Sequence, residues 1–163
     1  MINEQYKYSE LTSKIIGCSM TVHKALGNGF QEVIYQRALA IEMRLANIEF
    51  SREFEMPIFY REEKIGTRRV DFLVEENISV EIKATTKLED VHFAQAINYL
   101  EAYNLEIGLL INFGETSLNF KQYNNGQRLL NSKFEENHKH KNNPNTRFTK
   151  KIEFSFPWVP SYG

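Results

Sequence analysis

Near the N-terminus Leu11, Ile15, Ile16, Met20, Val22 and Leu26 recur at helical spacing, which predicts a helix over residues 11–26. Gly27-Asn28-Gly29 ends it, because glycine adopts the left-handed conformation beyond a helix C-terminus at little cost. A second helix is expected over 30–46, with Phe30, Ile34, Leu39 and Leu45 among its apolar residues. The period then changes. Residues 54–61 read as a strand, and Pro57 assigns it to an edge or a bulge. Residues 62–66 read as a turn, and 70–74 and 78–83 as the next two strands. A helix follows over 91–103, with Glu89 or Asp90 near its cap. Residues 107–113 form a near-continuous apolar run, as in a strand buried on both faces. Residues 118–123 alternate like an edge strand.

This order predicts an α/β fold. A three-strand antiparallel meander is followed by a helical crossover to a strand parallel to the third. Helices then flank a mixed sheet. After residue 123 the chain turns rich in Asn and Lys and loses its periodicity, until an aromatic segment with Phe154, Phe156 and Trp158. Two units are expected: a domain over 1–123 and a polar, basic extension over 124–163. The aromatic segment is a candidate for adding a strand to a partner's sheet in a homodimer.

Charge sharpens this division. Residues 1–123 carry 13 Lys and Arg against 18 Asp and Glu, whereas residues 124–163 carry seven against three. An acidic body with a basic appendage results. The lone cysteine, Cys18, excludes an internal disulfide and reads as core. No stretch is long and apolar enough for a membrane span, and the first ten residues lack a signal-like apolar region. A cytoplasmic protein with no membrane partner is expected.

The chemistry lies in the hairpin over 66–86. Val70, Phe72 and Val74 alternate on one strand, and Ile78, Val80 and Ile82 on the next. Burying both triplets together, with a loop of Glu75, Glu76 and Asn77, sets Val74 opposite Ile78 and Phe72 opposite Val80. Asp71 then falls opposite Glu81, with Cβ atoms about 4.5–5.5 Å apart. Lys83 projects from the same face as Glu81. Two carboxylates that close repel by roughly 3 kcal/mol at an effective dielectric near 20. A divalent cation between them reverses the sign, and hard oxygen donors favour Mg²⁺ or Mn²⁺. Spacing alone also fits a solvated face with an internal salt bridge.

Two further pairs share helical faces. Glu32 and Tyr35 are three apart, and Gln95 and Tyr99 four apart. Each also has a bland reading, a first-turn acid for Glu32 and a surface Gln beside a half-buried Tyr. His92 fits a cap or surface role, and His23 a structural one near the glycine loop. His138 and His140 lack the further ligands that a zinc site needs.

The segments containing these residues, in this order, resemble the GxxExxY proteins, a branch of the PD-(D/E)xK nuclease superfamily. Gly29, Glu32 and Tyr35 match the name-giving pattern, and the likeness covers roughly residues 9–123. The resemblance implies a restriction-endonuclease-like core. It implies that Asp71 and Glu81, with Glu32 as in RecB-like members, bind the metal. Lys83 would complete the E-x-K pair, and Gln95 and Tyr99 the Q-x-x-x-Y helix. The implied activity is Mg²⁺- or Mn²⁺-dependent hydrolysis of nucleic acid, DNA in the first place, by a metal-activated water. The catalytic set is then Glu32, Asp71, Glu81, Lys83, Gln95 and Tyr99. The basic tail has no counterpart in the family. The other reading is a catalytically silent nuclease fold that binds nucleic acid or a protein partner.

Overall fold

The computed structural model describes residues 8–125. Three helices, α1 (Ser9–Leu26), α2 (Glu32–Leu45) and α3 (Asp90–Ala102), flank five strands: β1 (Phe50–Tyr60), β2 (Glu63–Val74), β3 (Ile78–Lys83), β4 (Ile107–Asn112) and β5 (Asn119–Asn124). The sheet runs β1-β2-β3-β4-β5. Only the β3–β4 pair is parallel. The expected α/β architecture with a mixed sheet is therefore present. The tail from residue 126, with His138, His140 and the aromatic segment, lies outside the described residues, as do residues 1–7. Among the described residues no helix is long and apolar enough to cross a membrane.

Alternation along the central strands sends side chains to two cores. Phe72, Val74, Ile78, Val80, Ile82, Ile107, Leu109 and Ile111 meet Ile15, Cys18, Val22, Tyr35, Leu39 and Met43 of α1 and α2. Leu110 points the other way and packs with Leu88 and Ala96 under α3. Burial of each large apolar side chain contributes about 1.5–3 kcal/mol, so the double-sided β3–β4 pair anchors the domain. The serine hydroxyl of Ser19, fully buried in α1, is satisfied by the Ile15 carbonyl at 2.9 Å.

Several expectations need correction. Of Phe30, Ile34, Leu39 and Leu45, only Leu39 is buried, and Leu45 is 73% exposed. Met20 of α1 is exposed as well. The faces that meet the sheet carry Ile15, Cys18 and Val22 on α1, and Tyr35, Gln36, Leu39, Ala40 and Met43 on α2. Packing selected these stripes over neighbouring ones of similar hydrophobicity.

Strand β2 starts at Glu63, seven residues before its expected beginning, because its outer half forms an exposed ribbon with β1. Solvent on both faces leaves that ribbon no period-two signal. The turn is Arg61-Glu62, with φ of 48° and 69°, and residues 63–66 of the expected turn belong to β2. β1 is an edge strand, as Pro57 implied, with a register shift between Ile58 and Phe59.

Candidate active site

The hairpin register agrees with expectation over three rungs: Val74–Ile78, Leu73–Ser79 and Phe72–Val80. There the ladder stops. Asp71 and Glu81 do not form the next rung. Asp71 instead accepts the Ile82 backbone N–H through Oδ2 at 2.7 Å. Its carboxylate occupies the place of a strand carbonyl and satisfies a donor that the splayed strands would orphan. The β1–β2 ladder also skips here: Arg52 pairs Phe72 and Phe54 pairs Val70, while Glu53 between them has φ +54°. Beyond this irregularity Val70 leaves the Phe72–Val74 core. It packs on the α3 side with Met56, Tyr99, Leu100 and Leu105. The expected shared face of Val70, Phe72 and Val74 is broken at the residue that carries the chemistry.

The other oxygen of Asp71 accepts the Gln36 side-chain amide at 2.8 Å. Gln36 is 6% exposed on the inner face of α2. Its sequence signal was a polar residue within a buried stripe, which must find a partner. Glu32, one turn earlier, is exposed at the start of α2. Among the described residues no three His, Cys, Asp or Glu side chains are grouped to hold a metal.

Glu81 lies on the central strand opposite Leu110 and is only 9% exposed. Its Oε1 is buried and has no hydrogen-bond partner. Burial first, then repulsion from Asp71, raises its pKa from 4.5 to about 7; Lys83, Tyr99 and Arg68 pull the other way. An orphaned carboxylate oxygen beside a second carboxylate is a place that fits a hard cation. Lys83 closes β3, half-buried and paired with Asn112, and its carbonyl accepts the Phe113 N–H at 2.8 Å.

Tyr99, buried on α3, faces Glu81. Burial and the Glu81 charge push its hydroxyl above the usual tyrosine value. Its proton reaches the Arg69 carbonyl only at 3.4 Å, a weak bond that leaves the carboxylate as the better acceptor. The Tyr99 hydroxyl itself accepts from Arg68 Nε, and the Arg68 guanidinium carbon lies 4.0 Å from the ring centroid. No sequence pattern had singled out Arg68. Gln95 is half-buried one turn before Tyr99.

The remaining motif residues build the frame. Tyr35 donates to the Gly27 carbonyl at 2.7 Å and accepts from the Phe30 N–H at 3.2 Å, and its ring stacks on Phe113 at 4.7 Å. It pins the glycine loop that delivers α2. His23 donates through Nε2 to the Glu115 carbonyl at 2.9 Å, a structural role. His92 and Glu89 form a reciprocal cap on α3. Asn112, fully buried, bonds both the N–H and the carbonyl of Thr85 and so ties the segment after Lys83 to β4.

A family model described as the PD-(D/E)XK nuclease superfamily matches residues 9–123. The chain belongs to that superfamily, and its mixed sheet and flanking helices are consistent with the superfamily's restriction-endonuclease-like fold. A solved structure titled "Crystal structure of SSO0001" is similar at 16% identity and a TM-score of 0.46, covering 85% of this chain and 70% of that one. A likeness at that level carries no argument about function. No curated protein matches the chain.

Proposed function

We propose that this member of the PD-(D/E)XK superfamily is a metal-dependent nuclease that hydrolyses phosphodiester bonds, in DNA before RNA. One observation carries the reading: a buried Glu81 whose Oε1 has no hydrogen-bond partner, beside Asp71, with Lys83 two residues along the same strand. Asp71 and Glu81 would hold Mg²⁺ or Mn²⁺, with the exposed Glu32 as the outer acid of the set. Bound there, the ion would polarise a phosphoryl oxygen and lower the pKa of a bound water.

The chain's own residues do the rest. Gln36 and the Ile82 N–H fix the orientation of Asp71. Tyr99 supports Glu81, which would stay ionised at neutral pH with a cation bound. Lys83 supplies positive charge to the water or to the developing phosphorane charge. Gln95 is assigned to the same helical face as Tyr99, toward the phosphate. We further assign the chain to the GxxExxY group within a RecB-like branch, and to the cytoplasm. Residues 124–163 are read as a separate basic unit that adds phosphate contacts or mediates homodimerisation.

A second reading is a silent binding module of the same fold. The exposed position of Glu32 at the start of α2 favours it. The two are separated by incubating wild type, Asp71→Ala and Lys83→Ala with single- and double-stranded DNA and RNA in Mg²⁺ or Mn²⁺. Cleavage by wild type alone supports the nuclease. Nucleic-acid binding without cleavage in all three proteins favours the module.

A further inference from the structure

Arg68 sits on β2 three residues before Asp71 and is half-buried. Its guanidinium lies against the Tyr99 ring, and its Nε donates to the Tyr99 hydroxyl. Tyr99 is in turn held by Met56, Val70, Leu100 and Leu105. The cation is therefore ordered on one face and one edge, by partners that are both neutral. Among the described residues no carboxylate lies within ion-pair distance of Arg68.

Arginine has five N–H donors, of which Nε carries one. The other four belong to the terminal nitrogens, the planar fork that matches two oxygens of a phosphate. An arginine already fixed by stacking loses little side-chain entropy when it binds an anion. The surroundings make this cation informative. Residues 1–123 are net acidic, and Asp71 and Glu81 would repel an approaching backbone. An ordered positive charge near Glu81 offsets that repulsion where it is strongest.

We propose that Arg68 is a phosphate-binding residue of this site, its terminal nitrogens taking a nucleic-acid backbone phosphate that flanks the Asp71–Glu81 pair. The assignment deepens the nucleic-acid reading above and rests on it. Lys83 acts at the acid pair, whereas Arg68 holds the strand.

The test uses full-length protein with Ca²⁺ in place of Mg²⁺, and the anisotropy of a fluorescein-labelled DNA duplex and of its single strands across a salt series. Arg68→Ala and Arg68→Gln are each expected to weaken binding about tenfold. Both should make the slope of log K against log salt shallower by about one, the signature of one lost phosphate contact. Arg68→Lys keeps the slope but recovers only part of the affinity, since an ammonium neither stacks nor forks. Ca²⁺ affinity by calorimetry is unchanged in Arg68→Gln. Equal binding and slope in wild type and Arg68→Gln overturn the assignment. So does a fall in Ca²⁺ affinity with an unchanged DNA slope, which would make Arg68 a support for Glu81 through Tyr99. Wild-type protein that binds neither duplex nor single strands sinks the nucleic-acid reading itself, a result distinct from binding that ignores Arg68.

Discussion

Gln36 on α2 donates its side-chain amide to Asp71 on β2 at 2.8 Å, so a helix from one layer holds an acid at the point where the β2–β3 ladder opens. The Ile82 N–H occupies the other Asp71 oxygen. Asp71 is thus oriented from two directions before any ligand arrives.

Removing that amide leaves a partly buried carboxylate oxygen without its donor. Gln36→Ala is expected to lower stability by about 1–3 kcal/mol in urea unfolding. Gln36→Glu is more diagnostic. It sets a third carboxylate against Asp71, so the melting temperature in a chelator falls below that of wild type. Mg²⁺ then raises it by more than it raises wild type. A Gln36→Glu protein as stable as wild type in the chelator would show that Gln36 does not face Asp71.

Glu81 makes metal-free stability pH-dependent. Its folded pKa is about 7 against an ordinary 4.5, so the folded chain keeps this proton longer than the unfolded chain. The stabilising contribution is full below about pH 4.5 and is lost as pH rises through about 7. The loss is on the order of 3 kcal/mol. Urea unfolding of the metal-free protein at about pH 5 and about pH 8 should show this decline in wild type and its absence in Glu81→Gln. Mg²⁺ restores wild type at the higher pH. Parallel pH curves for the two proteins would exclude a buried, titrating Glu81.

Gly114 lies where β4 hands over to the segment after Lys83. A Cβ there would sit 2.4 Å from the backbone N and O of Thr85, atoms that cannot move as a side-chain end can. Gly114→Ala is expected to cost about 1–3 kcal/mol or more. It should also reduce cleavage by displacing the chain just beyond Lys83. An unchanged denaturation midpoint contradicts the close approach.

Much of the fold was legible because its signals are local. The run over 107–113 announced a strand buried on both faces, and every residue of β4 is buried. The apolar alternation over 70–82, with a loop of three residues, contained the register that pairs Phe72 with Val80, although Val70 leaves that face. Glu89 or Asp90 was expected near the cap of α3, and Glu89 is the capping residue. The outer half of β2 was not legible, because residues with solvent on both faces carry no alternation.

The site was legible only in part. Asp71, Glu81 and Lys83 stood out because they interrupt apolar strands. Gln36 and Arg68 did not, because nothing within a few residues of either reveals what it touches. Sequence by itself determined the identity of the acids on the central hairpin, the register of the three rungs next to its turn and the order of elements, since side-chain period and turn length act within a few residues. Tertiary structure alone decided which stripe of α2 meets the sheet, and hence that Gln36 reaches Asp71. It also decided that β2 and β3 part at Asp71 and that α3 brings Tyr99 onto Arg68 and Glu81. Helix rotation and strand splay follow from packing between distant segments, which no local pattern encodes.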